Sequence, residues 1–175
     1  MVSVLTRPPA GGGSVAAEGG SRVIVGVDDS QAGLAALGWA VDRARCSGAQ
    51  LVAVRSWALG LPRHGGRRHH LHLAHPRVVL YFRGDEQRDA SVRLVRRAFR
   101  IVNGGLPRDV TVTVKTPEGD PGAALTGAAT KPGDLIVVGD EQASRWRRAG
   151  RGSVSRYCFR HAACPVVAVP AGGSR

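Results

Sequence analysis

The sequence predicts an α/β protein with three layers, in which a five-stranded parallel sheet is doubly wound with helices on both faces. Two observations predict it. Five short runs rich in apolar and β-branched residues recur along the chain, and four segments with helical spacing of apolar residues lie between them. Regular alternation of strands and helices is typical of a parallel sheet covered by helices on both sides.

The first predicted unit is a strand, a turn, a helix and a second strand. Arg22–Val27 is apolar and β-branched, so we expect a buried strand. Ser30 follows as a candidate helix N-cap, and the helical pattern after it stops at Gly48. Leu51–Trp57 then predicts the second strand.

A basic segment rich in glycine, proline, arginine and histidine interrupts the pattern at residues 58–84, and we interpret it as a variable insertion. Most of the histidines of the chain lie in it, namely His64, His69, His70, His72 and His75. They lack the helical i, i+4 spacing of a formed metal site, and no carboxylate or cysteine is interleaved with them. We therefore predict no metal site.

The second half of the domain continues the alternation. Asp85–Val102 predicts a helix whose arginines lie mostly off its apolar stripe. Asp109–Lys115 alternates valine with threonine, which favours an edge strand with one wet face. Asp120 and Pro121 are residue types that begin helices, and the next strand starts at Leu135.

The stretch from Asp134 to Pro170 predicts a strand, a loop, a helix and a last strand. The first apolar run ends at Gly139, a long basic loop follows, and Gly152 and Ser153 precede the helix. Backbone N–H groups and a hydroxyl at a helix N-terminus suit an anion. In an open α/β sheet the ligand is expected beyond the carboxyl ends of the strands. The sequence thus predicts an anion-binding crevice at this edge.

The net charge of +12 has two interpretations. Arginines concentrate between residues 63 and 100 and between residues 145 and 160, which can indicate a nucleic-acid or phosphate partner. They can also form a solvated surface, and we favour that interpretation for the helix arginines. Only 5% of residues are aromatic, which disfavours the stacking platform that single-strand binding requires. Any nucleic-acid binding should therefore be electrostatic and depend steeply on salt.

The composition of the chain ends and the number of cysteines indicate the extent of the domain and the class of protein. Residues 1–21 contain Pro-Pro and Gly-Gly-Gly where a signal peptide needs a continuous apolar region, so we expect a disordered tail, with a second tail at 171–175. The domain should span residues 22–170. No run approaches the roughly 18 apolar residues of a membrane span. The odd number of cysteines (Cys46, Cys158 and Cys164) favours buried, reduced thiols in a cytoplasmic protein.

Four pieces of the chain together resemble the universal stress protein family. They are VIVGVDDSQAGLAALGWAVDRA, EGDPGAAL, DLIVVG followed by GSVS, and RHAACPVVAVP. Their order and spacing are specific, and they cover residues 22–57 and 109–170. Residues 58–105 match only as a variable loop and a helix. The resemblance implies a strand order of 3-2-1-4-5, which places the first and fourth strands side by side.

The resemblance also implies a stress-response module that binds ATP, with Mg²⁺ when ATP is bound. In ATP-binding members an acidic residue after the first strand contacts the adenosine, a second-strand residue lines the adenine pocket, and a glycine loop holds the phosphates. The residues of this sequence that match the site are Val27, Asp28, Ser30, Val54, Gly139, Gly152, Ser153 and Val154.

One position departs from the phosphate loop of the family. That loop is a glycine, two residues, a glycine, nine residues and then Gly-Ser or Gly-Thr, and Gln142 replaces the second glycine. If only the backbone conformation matters, the replacement costs roughly 1–2 kcal/mol, about tenfold in affinity. If the side chain fills the phosphate position, the site is closed. Arg148 and Arg151 are candidate phosphate contacts, and a solvated loop is the alternative for them.

No enzyme motif is evident. The chain has no glycine-rich loop ending in Lys-Ser or Lys-Thr and no Gly-x-Ser-x-Gly elbow, and no residue stands out as a general base. His161 with Cys158 or Cys164 suggests a Cys–His pair, but a helix end explains His161 better. We predict a binding module rather than an enzyme, with slow ATP hydrolysis left open.

The last strand, Val166–Val169, has no helix after it and would form an exposed edge. The family covers this edge with a second copy, so the resemblance implies a homodimer. Two alternatives to ATP binding stay open: a regulatory interaction dimer without ATP, and an electrostatic nucleic-acid-binding module.

Overall fold

The computed structural model of the chain describes residues 3–5, 20–57, 84–140 and 154–172. Ten elements follow one another in these ranges. They are β1 (Ser3–Leu5), β2 (Arg22–Gly26), α1 (Gln31–Ser47), β3 (Gln50–Val54), α2 (Gly84–Asn103), β4 (Val112–Lys115), α3 (Pro121–Ala128), β5 (Leu135–Asp140), α4 (Val154–His161) and β6 (Val166–Pro170).

The sheet has the order β1-β6-β5-β2-β3-β4. The five strands from β2 to β6 are parallel, and numbered from β2 their order is 3-2-1-4-5, as predicted. β4 lies at the edge, which confirms the interpretation of its alternating valines and threonines. The direction in which strands are added reverses at β2, with β3 and β4 on one side and β5 and β6 on the other.

Two apolar cores lie on opposite faces of the sheet, because successive residues of a strand point to opposite sides. Val23 and Val25 of β2 pack under α1 and α2, together with the buried Phe99. Ile24, between them, packs on the other face, under α3 and α4, with Leu125. The predicted three-layer arrangement is therefore present.

The helix boundaries follow the residue types that predicted them. Ser30 is the N-cap of α1, and Gly48 ends that helix in the left-handed conformation with φ of 63°. Asp120 caps α3, where its side chain accepts hydrogen bonds from the N–H groups of Gly122 and Ala123. These caps satisfy backbone donors that a helix leaves unpaired in its first turn.

A buried ion pair joins the amino ends of β2 and β5. The guanidinium of Arg22 donates from Nη2 to Oδ2 of Asp134 at 2.6 Å and from Nε to Oδ1 at 2.9 Å. The backbone N–H of Lys131 donates to the same carboxylate at 2.8 Å. Burial acts to raise the pKa of Asp134, but these hydrogen bonds outweigh it, so the pKa lies below its ordinary value.

The amino-terminal strand corrects the expectation that all of residues 1–21 form a disordered tail. β1 pairs antiparallel with β6, with Ser3 opposite Ala168 and Leu5 opposite Val166. Without β1, the outer edge of β6 would leave its backbone N–H and C=O groups unpaired. The strand around Val4 pairs with this edge. The last strand is therefore not the free edge that the sequence suggested. Residues 6–19 lie outside the described part of the chain.

The cysteines differ from the prediction at one position. Cys158 is buried and Cys164 is half-buried, whereas Cys46 is exposed. The last turn of α1 explains this, because Arg45 and Ser47 beside it are exposed as well. As for membrane spans, none of the helices in the described ranges has the length and apolar character to cross a bilayer.

Candidate functional site

The carboxyl ends of β2, β3 and β5 meet at one edge of the sheet, and we call the region around Asp28 and Gly139 the crevice. β2 is the middle strand, because Gly26 pairs with Val54 of β3 and Val25 pairs with Val137 of β5. The order of the strands reverses here, and this switch point is where open α/β sheets bind their ligands. The turn that begins at Asp28 therefore emerges at the expected place.

Asp28 is exposed, and the first turn of α1 holds its carboxylate in place. Its Oδ1 accepts hydrogen bonds from the backbone N–H of Ser30 at 3.1 Å and from the Ser30 hydroxyl at 2.7 Å. The same hydroxyl oxygen accepts from the N–H of Gly33 at 2.9 Å. The hydroxyl of Ser30 is therefore committed to capping the helix and orienting Asp28.

One glycine allows the end of β5 to approach this turn, and a second leaves room for the carboxylate of Asp28. A Cβ on Gly139 would lie 2.7 Å from the backbone of Ala32 and Gly33, closer than any side-chain carbon packs. A Cβ on Gly33 would collide with Oδ1 of Asp28. Close packing of β5 on α1 is thus a sufficient reason for glycine at position 139. Sequence reasoning assigned Gly139 to phosphate binding and missed Gly33. The sequence feature that could have indicated Gly33 is its position three residues after the helix cap Ser30.

Arg55 is a second residue that the motif comparison missed. It directly follows β3, and its Nη1 donates to the backbone oxygen of Val27 at 3.1 Å. The guanidinium therefore lies beside the residue that precedes Asp28. Its signal in the sequence was a single arginine at the carboxyl end of an apolar strand. It brings positive charge to a crevice where an anionic ligand is expected.

The apolar side of the crevice is formed by strand ends. Val27 and Val54 are buried, and the N–H of Val27 donates to the Val54 oxygen at 2.9 Å. A cavity of about 650 Å³ opens beside Val54, between α3 and the carboxyl end of β4. Its other lining residues include Trp57 and Ala124, with Arg88 and Lys115 as cations. This volume lies in the range of ordinary small-molecule sites, about 300–1,000 Å³.

The amino terminus of α4 faces the same edge of the sheet. α4 connects two parallel strands, so it runs antiparallel to them and starts near the carboxyl end of β5. Its first residue, Val154, packs against the core under α3 and α4. Gly152, Ser153 and the candidate phosphate-loop residues Gln142, Arg148 and Arg151 fall in residues 141–153, outside the described part of the chain. Their roles stay predictions.

His161 and Cys158, the candidate Cys–His pair, have separate environments in the structure. Nδ1 of His161 lies 2.8 Å from the backbone oxygen of Tyr157, and the two rings stack with centroids 4.1 Å apart. His161 thus interacts with the last turn of its own helix, as the alternative interpretation expected. Burial, with smaller effects of Cys164 and Asp120, raises the pKa of the Cys158 thiol to about 12. At neutral pH this thiol is protonated and is a poor nucleophile.

Metal ligands are not grouped in the parts of the chain that the structure describes. Within residues 20–57, 84–140 and 154–172, no set of three histidine, cysteine, aspartate or glutamate side chains is arranged to hold an ion. The five histidines of the basic insertion lie outside these ranges.

Comparison with known families identifies one family over most of the chain. The family model of the universal stress protein family matches residues 20–170. The chain belongs to the universal stress protein family. The match includes every element of the described fold from β2 to β6. No match was found among curated proteins.

Solved universal stress proteins share this fold. One in complex with cAMP is 20% identical, with a TM-score of 0.61, over 87% of this chain and 99% of that one. One from Burkholderia pseudomallei is 26% identical, with a TM-score of 0.55, over 86% and 96%. One from Archaeoglobus fulgidus in complex with dAMP is 17% identical, with a TM-score of 0.52, over 85% and 97%.

Proposed function

We propose that this member of the family is a stress-response module that binds an adenine nucleotide, with ATP and Mg²⁺ as the expected ligand. The observation that carries the proposal is the position of Asp28. Its carboxylate is fixed at the switch point of the sheet, next to the close approach of β5 to α1 at Gly139. Similar folds in complex with cAMP and dAMP support an adenine nucleotide as the class of ligand.

Each part of the nucleotide has candidate partners in the crevice or directly beside it. The exposed carboxylate of Asp28 can accept hydrogen bonds from the hydroxyls of the ribose. The cavity beside Val54 has an apolar wall for the base. The amino terminus of α4 offers backbone N–H groups to phosphate, with Gly152 and Ser153 just before it in the sequence. Arg55 adds a cation close to the Asp28 turn.

Calorimetric titration with ATP and Mg²⁺ tests the proposal, and we expect a dissociation constant in the micromolar range. Asp28→Asn keeps an acceptor for Ser30 but removes the charge. Since hydrogen bonds to charged groups contribute about 1.5–3 kcal/mol, the variant should bind about tenfold or more weakly. Asp42→Asn is the control, because Asp42 is also exposed and lies in the second half of α1, away from the crevice. No heat and no thermal shift at millimolar ATP would refute the binding of ATP.

Gln142→Gly tests the altered phosphate loop separately. If Gln142 weakens binding only through its backbone conformation, glycine should tighten ATP binding by about tenfold. If the side chain fills the phosphate position, wild-type protein should bind adenosine but not ATP, and glycine should restore ATP. Equal affinity of both proteins for ATP would show that position 142 has no part in the site.

We further propose that the protein acts by binding, not by turning over its ligand, and that it does so in the cytoplasm. The cysteine content supports a reducing compartment. Release of phosphate from saturating ATP should stay at the buffer rate. A rate well above it that Asp28→Asn abolishes would contradict a pure binding role.

A further inference from the structure

Four arginines form one exposed stripe along the outer face of α2. They are Arg93, Arg96, Arg97 and Arg100, at positions i, i+3, i+4 and i+7 of the helix. Residues with this spacing lie on one face of a helix. Val95, Ala98 and Phe99 between them are buried against the sheet, so the four guanidinium groups point away from the core. We call these four residues the arginine stripe.

The arginine stripe has no neutralising partner in the described part of the protein. None of its four side chains makes an ion pair or a side-chain hydrogen bond with the described residues. The acidic residues of α2, Asp85, Glu86 and Asp89, all precede the stripe, in the first two turns.

Two aspartates that share a cation near the carboxyl end of α2 are already paired with it. Arg45 of α1 binds Asp109 at 2.7 Å and Asp42 at 3.4 Å, and it also donates to Asn103, the last residue of α2. These carboxylates are therefore engaged by a different cation. Among the described residues, the stripe presents about four positive charges to solvent, and its nearest carboxylate within α2 is Asp89, one turn before Arg93.

The length of the stripe matches the phosphates of a nucleic-acid duplex. Seven residues of helix separate Arg93 from Arg100, which is about 10 Å at 1.5 Å per residue. A duplex carries one phosphate of each strand per about 3.4 Å of its helix axis, so about 10 Å of axis passes about three phosphates of each strand. The planar guanidinium forms paired hydrogen bonds with phosphate oxygens.

The chemistry of the same face disfavours single strands and protein partners. Proteins that hold single strands stack bases on exposed aromatic rings, and the one aromatic residue of α2, Phe99, is buried. Protein interfaces have an apolar centre that is depleted in charge. The arginine stripe has charge at its centre, and the exposed Ile101 lies at its flank.

In place of the solvated surface that the sequence favoured for these arginines, we propose that the arginine stripe of α2 is a docking surface for the phosphate backbone of duplex nucleic acid. The surface is independent of the nucleotide crevice, since it lies on the layer of α1 and α2 and not at the carboxyl edge of the sheet. It binds without reading the sequence of bases, because contacts to phosphates carry no sequence information.

Fluorescence anisotropy of the full chain with a labelled 20-base-pair DNA of arbitrary sequence tests the surface. Binding should weaken as salt rises, and the slope of log K against log salt falls by about one for each phosphate contact removed. Arg96→Gln with Arg100→Gln should weaken binding at least about tenfold at low salt and reduce the slope by about two. Glutamine preserves helix propensity, so an unchanged melting temperature will show that α2 still folds.

The control is Arg156→Gln with Arg160→Gln on α4. This pair is also exposed, also spaced i, i+4, and removes the same charge from the opposite layer of the protein. It should retain most of the affinity for DNA. An equal loss in both double variants would overturn the proposal, since net charge alone would explain it.

Two more outcomes would overturn it. One is equal DNA affinity of the wild type and the α2 variant, which would show that the DNA contact lies elsewhere in the chain. The other is stronger binding to vesicles containing anionic lipid than to DNA, lost in the same α2 variant, which would make the stripe a membrane surface. Loss of DNA binding in the α2 variant alone, with ATP binding unchanged, supports the proposal.

Discussion

Gly139 shows how one residue can satisfy both a motif and the packing of the fold. A Cβ at this position would meet the backbone of Ala32 and Gly33 at 2.7 Å, and backbone atoms at the start of a packed helix cannot move away cheaply. The glycine is therefore required even without a ligand. The same contact holds the end of β5 against the turn that carries Asp28, so the packing also shapes the crevice.

Gly139→Ala should destabilise the protein by about 2 kcal/mol, the usual cost of forcing an extra carbon into a packed site. Gly127→Ala is the matched control, because a Cβ there would meet nothing within 4 Å and the residue lies in α3. Alanine at a helix position of this kind should stabilise by up to about 1 kcal/mol. Urea unfolding of the two variants measures both. Equal stability of the two variants would refute the packing role of Gly139.

The three cysteines should differ in reactivity by position. At pH 8 an alkylating reagent should modify the exposed Cys46 first and the half-buried Cys164 more slowly. Cys158 should resist until the protein is unfolded in urea, because it is buried and its pKa is raised to about 12. Peptide mass spectrometry at timed intervals gives the order. Modification of Cys158 as fast as Cys46 in the folded protein would contradict this structure of α4.

Among the elements, the ion pair of Arg22 and Asp134 joins strands that are distant in sequence. It connects the start of β2 to the start of β5, and Arg22 also donates to the backbone oxygen of Ala128 at the end of α3 at 3.2 Å. Nothing in the sequence pattern indicated this pair. In the sequence, both look like ordinary residues at the boundaries of strands. Their contact forms only because the sheet brings together residues that are 112 positions apart.

Asp134→Asn should destabilise the protein by about 3 kcal/mol at pH 7, because it leaves Arg22 without its buried partner. The pKa of Asp134 is lowered in the folded state, so its contribution is full above the unfolded pKa, about 3.9, and is lost as pH falls through the folded value. The difference between wild type and variant should therefore shrink below about pH 4. Urea unfolding at several pH values measures it.

Asp109→Asn is the control for this pair. It breaks the exposed ion pair with Arg45 and should change the free energy of unfolding much less, because water screens that pair. A large effect of Asp109→Asn, or a pH-independent effect of Asp134→Asn, would contradict the assignment of stability to the buried carboxylate.

At the scale of the whole molecule, β1 changes what the last strand can do. β1 pairs with the outer edge of β6, the edge through which we expected a second copy to bind. We propose that the homodimer forms through β6 only when β1 leaves it. A chain lacking residues 2–19 should then form a dimer at lower concentration than the full chain. Light scattering measures this against the monomer mass of 18.3 kDa.

A peptide of residues 1–19 added to the shortened chain provides the control for this prediction. It should return the shortened chain toward the monomer, because it restores the strand that competes for β6. If the full chain and the shortened chain are both monomeric at high micromolar concentration, a dimer through this edge is refuted. A dimer of equal strength in both chains would refute competition by β1.

The sequence by itself determined the parallel α/β class, the helix caps at Ser30 and Asp120 and the position of Asp28 after β2. Each of these depends on residues close together in the chain, where apolar periodicity and capping chemistry act. Resemblance to a family added the strand order. Only the tertiary structure decided why Gly33 and Gly139 are glycines, where the guanidinium of Arg55 lies, how Asp134 is paired and what covers β6. All of these are contacts between distant segments, and local residue patterns contain no information about which distant surfaces will meet.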